Sequence, residues 1–139
     1  VAGSPVSELE VRVRYAETDQ MGVAHHASYF VWFEAARTEF IRQRGRSYAQ
    51  LEEDGWLLVV VDARCRYRHP ARYDDILLVR ARLRDLGAAT LSFGYEVLRR
   101  ADGRLLADGY TVHAAVDRAG RPHRIPAEIR RLLLGQQER

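Results

Sequence analysis

The residues with chemical potential gather in one stretch near the N-terminus, which runs Tyr15-Ala-Glu-Thr-Asp19-Gln-Met-Gly22-Val23-Ala-His25-His26. It carries one carboxylate, Asp19, and a pair of histidines, His25 and His26, the second seven positions after Asp19. If a helix begins just beyond His26, its first turn offers unpaired N–H groups and a partial positive charge. Such groups hold an oxyanion when a reacting carbonyl sits against them, and Asp19 is placed to face that carbonyl. Gly22 lets the backbone turn tightly or approach a ligand, and His26 can hydrogen-bond a ligand or fix the loop. The competing reading is structural: Asp19 caps backbone donors at a helix entry and the histidines pack.

Other candidates are weaker. Adjacent His25 and His26 are expected on different sides of a helical turn, which makes a poor metal pair. His69, His113 and His123 are scattered, so no metal site is expected. Cys65 falls in an apolar strand row with Val61, Ala63 and Tyr67, as a buried inert thiol. Ser28 lacks a nucleophile-elbow context. Glu34 and Arg37 are spaced to pair across one helix face. All 22 basic residues are arginine. The absence of lysine excludes Schiff-base chemistry and a phosphate-loop lysine, and it leaves planar forks suited to phosphate and carboxylate.

Periodicity supplies the elements that must position these groups. Glu10–Tyr15 alternates as a short strand, and Ala16–His26 loses the pattern and reads as a loop. From Ala27 to Arg44 apolar residues recur at helical spacing (Phe33, Ala36, Phe40, Ile41), with Gly45 as the stop. Tyr29, Phe30, Val31 and Trp32 make the first turns apolar nearly all round, which predicts burial on most sides. Residues 47–54 fit a helical turn or a loop. Leu57–Arg68, Ile76–Arg84, Leu91–Val97 and Leu105–Asp117 alternate as four strands joined by short turns, hence antiparallel. Pro126 opens a short final helix. Strand, largely apolar helix, then a meander predicts an α+β architecture.

With 139 residues, 47% hydrophobic and 29% charged, the chain reads as one globular domain over 1–139, with 1–8 as a loose tail. No apolar run reaches spanning length, so no membrane span is expected. The N-terminus lacks a signal pattern, and a cytoplasmic location is expected. A single cysteine excludes an internal disulfide. Net charge is only +3, and the arginines alternate along strands without forming a block. Nucleic acid is therefore not expected as a partner.

The stretch from Arg14 to Arg37 resembles the hot-dog thioesterases, specifically the 4-hydroxybenzoyl-CoA thioesterase-like and YbgC-like acyl-CoA thioesterases. Tyr15, Thr18, Asp19, Gly22, Val23 and His26 match that family's loop pattern, and Phe33, Glu34, Ala36 and Arg37 match its helix. Pro70 to Asp75 resembles the segment between two long strands. The resemblance implies a hot-dog fold, an antiparallel five-stranded sheet wrapped around a long central helix. It also implies hydrolysis of an acyl-CoA with no cofactor beyond the CoA of the substrate. Asp19 takes the place of the catalytic carboxylate, as nucleophile or general base, and His26 and Tyr15 match other site positions. Backbone N–H groups of His25 and His26 would polarise the carbonyl, and Gly22 and Val23 would meet substrate. His25 stands where many relatives carry tyrosine. Gly87-Ala88-Ala89 replaces basic residues that meet CoA phosphates in some relatives, which passes that task to Arg99 or Arg100. Relatives dimerise, often as a dimer of dimers, so a homo-oligomer up to a homotetramer is expected. The same fold could also bind acyl-CoA without turnover, as a sensing module.

Overall fold

The computed structural model describes residues 6–45 and 48–135. Among these, five strands form one antiparallel sheet: β1 (Val6–Arg12), β2 (Leu57–Tyr67), β3 (Ile76–Leu86), β4 (Thr90–Arg99) and β5 (Leu105–Val116), in the order β1-β3-β4-β5-β2. The helices are α1 (Ser28–Arg42), α2 (Tyr48–Glu53) and α3 (Ala127–Leu133). The expected α+β class and five-stranded antiparallel sheet are present.

α1 forms because its apolar residues repeat every three or four positions and so share one side. Tyr29, Trp32, Phe33, Ala36, Phe40 and Ile41 are buried there. They meet the alternate residues of β3 and β4 (Leu77, Val79, Ala81, Leu83, Phe93, Tyr95), all buried. Phe33 stacks on Tyr95 with ring centroids 4.4 Å apart, and Phe40 meets Phe93 edge-on at 5.3 Å. Val31 points to solvent, so the first turns are not buried on most sides as their composition suggests. Past the last turn, Gly45 takes a positive φ of 93°, a conformation that costs glycine little. Arg37 does not pair with Glu34. It reaches across the core boundary to the Tyr95 hydroxyl at 3.1 Å.

Two sequence expectations are corrected. The first strand runs over Val6–Arg12, not Glu10–Tyr15, so residues 6–8 of the supposed tail are ordered into the sheet; residues 1–5 lie outside the described residues. Ser7 is buried and donates to Gln43 at 2.9 Å. Tyr15 belongs to a 3-10 turn, Tyr15–Glu17, created when the Glu17 side chain captures the Arg14 N–H at 2.7 Å. The second correction concerns β2. Its register shifts between Val60 and Asp62, where β-bulge geometry breaks the alternation. Before the bulge Leu58 faces the core, paired with Ala115; after it Ala63, Cys65 and Tyr67 take that side. β2 is also an edge strand, and Val59, Val60 and Val61 are 45%, 49% and 58% exposed. The apolar row that read as core is largely surface.

Candidate active site

The segment after β2 must travel from one edge of the sheet to β3, near the other. It passes the N-terminal end of α1 on the way. There Ala71 donates its N–H to the Tyr29 hydroxyl at 3.1 Å, and its carbonyl accepts the Ala24 N–H at 2.7 Å. A cleft of about 330 Å³ opens where this segment, the Asp19 loop and the end of β2 meet. Asp19, Ala24, His26 and Tyr29 line one side, and Tyr67, Arg68, His69 and Pro70 line the other.

Asp19 sits in a tight hairpin. Its N–H donates to the Val23 carbonyl at 2.8 Å, its carbonyl accepts the Gly22 N–H at 3.1 Å, and Thr18 bridges Ala24 at the base. Gly22 holds a φ of 77° to close the turn. Gly22 and Val23 therefore shape the loop and do not line the cleft. One carboxylate oxygen of Asp19, Oδ1, accepts the Met21 N–H at 2.8 Å. Oδ2 has no partner among the described residues, and the side chain is exposed. The carboxylate is thus oriented through one oxygen and available through the other.

α1 has no side-chain cap at Ala27. The two backbone donors singled out from sequence differ sharply. The His25 N–H is already spent on the Glu17 carbonyl at 2.7 Å, so it cannot serve an oxyanion; that expectation is corrected. The His26 N–H has no partner among the described residues. It lies just before the positive end of the helix, where a developing negative charge is favoured. The His26 carbonyl accepts the Tyr67 hydroxyl at 2.9 Å, which ties the edge strand β2 to the site. The two imidazoles do not diverge as expected; their centroids are 4.2 Å apart and the planes are tilted by 30°. His25 Nδ1 accepts the Ala27 N–H at 3.2 Å, which leaves the ring proton of the neutral form on Nε2.

The remaining expected site residues lie elsewhere. Tyr15 is 78% exposed with its ring edge-on to Tyr73, and it does not line the cleft. Its carbonyl accepts the Thr18 N–H and hydroxyl, at 3.0 and 2.7 Å. Arg99 is engaged by Asp75, Asp102 and the Pro70 carbonyl, and Arg100 by Glu10. Neither guanidinium points free at the cleft. The cation on its wall is Arg68, held at 3.0 Å by Asp108. Cys65 is half-buried on the β2 face next to Tyr67. Burial pushes its thiol up to about 11 and the Tyr67 phenol up to about 12; both stay protonated near neutrality. Sequence reasoning missed Tyr29, Tyr67, Arg68 and His69 as cleft residues. The only local signal was that His69-Pro70 ends a strand.

A second depression of about 300 Å³ lies on the opposite face of the sheet and is lined by Arg64, Arg66, Arg82 and Arg84. It holds no helix N-terminus, and its Asp108 already pairs with Arg68.

The chain as a whole is similar to known proteins. Residues 13–133 match the model of the Thioesterase-like superfamily. The chain belongs to that superfamily. YneP of Bacillus subtilis is 38% identical over 81% of each chain. The acyl-CoA thioester hydrolase YbgC of Escherichia coli is 32% identical over 86% of this chain and 89% of its own. A DHNA-CoA thioesterase structure from Staphylococcus aureus superposes with a TM-score of 0.82 at 32% identity, covering 86% of this chain and 80% of that one. No helix among the described residues is long and apolar enough to cross a membrane.

Proposed function

We propose that this chain hydrolyses an acyl-CoA thioester to the free acid and coenzyme A. The observation that carries the reading is the pairing, at one cleft, of the unengaged Oδ2 of Asp19 with the unengaged N–H of His26. The activities named for YbgC and for the Staphylococcus aureus structure support the substrate class.

The thioester oxygen takes the His26 N–H, with the α1 dipole behind it. Asp19 either attacks the carbonyl carbon or removes a proton from a water that attacks it. The tetrahedral intermediate collapses, the C–S bond breaks, and the CoA thiolate leaves and takes up a proton. In the nucleophilic route water then cleaves the acyl–Asp19 anhydride and restores the carboxylate. Every step uses a side chain, a backbone group or water. His26 and Tyr29 line the side of the cleft offered to the acyl group, and Arg68, the cation on its wall, is the candidate to meet the CoA phosphates.

We also propose that the active form is a homo-oligomer with a second copy on the β2 edge. Exposed Leu57, Val59, Val60 and Val61 form an apolar margin beside unpaired strand groups, which a monomer would leave in water.

The deciding experiment compares thiol release from a panel of acyl-CoAs by the wild type and Asp19→Asn. The asparagine carbonyl oxygen can still accept the Met21 N–H, so the loop and melting temperature are retained. Turnover should fall by about 10²–10⁴-fold, the usual weight of a positioned acid–base group. A folded Asp19→Asn protein with wild-type turnover defeats the reading. Binding of acyl-CoA without thiol release by the wild type would favour a sensing module.

A further inference from the structure

We propose that Glu17, through its clasp on Trp32, is a positioning residue for catalysis: it sets where Asp19 stands relative to the His26 N–H. The proposal rests on the catalytic reading of Asp19.

Glu17 is a carboxylate in an unusual place. It is 8% exposed, two residues before an exposed Asp19. Burying a carboxylate is costly unless its oxygens are hydrogen-bonded. Here both are: Oε1 accepts the Arg14 N–H at 2.7 Å, with the Arg14 Nε at 3.4 Å, and Oε2 accepts the Trp32 indole N–H at 2.8 Å. Trp32 is buried on the second turn of α1. The backbone carbonyl of Glu17 works as well. It accepts the His25 N–H at 2.7 Å and the Ser28 hydroxyl at 3.0 Å. One residue therefore joins the end of the first strand, the returning limb of the Asp19 hairpin, and the first two turns of α1.

These bonds fix the geometry that the reaction needs. Asp19 rides on a hairpin whose base is the Thr18–Ala24 bridge, directly after Glu17. The His25 N–H is held by Glu17, and the next N–H, that of His26, has no partner among the described residues. The same residue thus anchors the hairpin that carries the carboxylate and selects which backbone donor remains for the oxyanion. Displacing a catalytic group by about 1 Å commonly costs about a hundredfold in rate. An apolar side chain at position 17 could pack against Trp32 but could not hold both donors.

The test compares Glu17→Gln, Trp32→Phe and the double variant with wild type and Asp19→Asn. Glutamine brings a single acceptor oxygen to two donors, so one N–H faces an amide NH₂. Phenylalanine keeps an aromatic ring in the core and removes the donor. Each is assayed for kcat and KM on an acyl-CoA hydrolysed by the wild type, well below its own melting temperature. The expected result is a kcat lowered about tenfold or more with KM within about threefold. The double variant should be no slower than the slower single one, because once the indole donor is gone the single glutamine oxygen is free to serve the Arg14 N–H and only the Trp32 bond is missing. Trp32→Phe is the milder change and decides the question if Glu17→Gln does not fold. Folded variants with wild-type kcat, or a loss confined to melting temperature, overturn the proposal while an inactive Asp19→Asn leaves the hydrolase reading standing. An active Asp19→Asn removes the catalytic reading first, and the clasp's role in it as well.

Discussion

Gly109 offers a quantitative test of how β2 is held. It lies on β5 opposite Cys65, where the two backbones are so close that a Cβ on Gly109 would stand 2.0 Å from the Arg64 carbonyl oxygen and 3.1 Å from the Cys65 Cα. Real Cβ atoms essentially never come within 3.0 Å of a non-bonded heavy atom outside their own residue and its chain neighbours. In Gly109→Ala, β2 must therefore retreat by about 1 Å at this point, and overpacking of that kind costs about 1–3 kcal/mol. The retreat also stretches the ladder bonds flanking Cys65, which costs about 1 kcal/mol in all because they lengthen without being lost. The sum is about 2–4 kcal/mol, equivalent to a fall in melting temperature of about 6–15 °C for a chain of this size. The effect should reach the cleft, because Tyr67 lies two residues after Cys65 and donates to the His26 carbonyl. Thermal melts at one fixed protein concentration give the stability, since association shifts the midpoint, and thiol release at low temperature gives the activity. Gly94→Ala is the control. Its Cβ would meet nothing closer than the Arg82 Nε at 3.6 Å, an ordinary contact. A Gly109→Ala melting temperature within about 2 °C of wild type would refute the close approach of β2 and β5.

Three further outcomes are expected. Cys65→Ala should keep wild-type turnover and lose about 1 kcal/mol of stability, and the raised thiol should react slowly with iodoacetamide at pH 7; a folded but inactive variant would make the thiol the nucleophile. His113, buried and bonded through Nε2 to Thr111 at 2.8 Å, is lowered to about 4 by burial and by the Arg37 charge. The unfolded chain therefore takes up this proton below about pH 6.5 and the folded chain does not until about 4. Stability contributed by the neutral ring is complete above pH 6.5 and declines by up to about 3 kcal/mol as pH falls towards 4; urea unfolding at both ends of that window should show a flatter acid limb for His113→Gln, and identical limbs would falsify the assignment. Light scattering at micromolar concentration should give a mass of at least twice the 16.0 kDa chain, and a monomer would remove the β2 edge as an interface.

Local periodicity carried most of the fold. Phe33, Ala36, Phe40 and Ile41 announce α1, and the alternation around Val79, Ala81, Leu83 and around Phe93, Tyr95, Val97 announces the central strands. Both signals come from neighbours along the chain. The features that escaped are set by partners far away in sequence. The first strand ends at Arg12 because a buried Glu17, bonded to Trp32, turns Arg14 and Tyr15 aside. The apolar run in β2 looked like core, but its place at the sheet edge depends on the order β1-β3-β4-β5-β2, and its bulge is invisible to a period of two. Asp19 and His26 were legible because the loop and helix that bring them together are contiguous. Tyr67, Arg68 and His69 reach the cleft through a crossing segment some forty residues on, and Arg99 and Arg100 are claimed by Asp75, Asp102 and Glu10.

The strand order also governs when this protein can become itself during synthesis. Among the described residues β1 pairs only with β3, and β2 only with β5, so neither has that partner when it leaves the ribosome. α1 emerges early with its apolar side uncovered, since the strands that bury it are still to be made. Pairings this distant in sequence close slowly, and half-made chains expose the surfaces that aggregate. A nascent chain stalled before Leu105 would hold β2 with nothing to bond to, and its Tyr67 would have no reason to stand beside His26. The cleft's chemical groups are translated in the first half of the chain, yet the cleft exists only after the last strand has arrived.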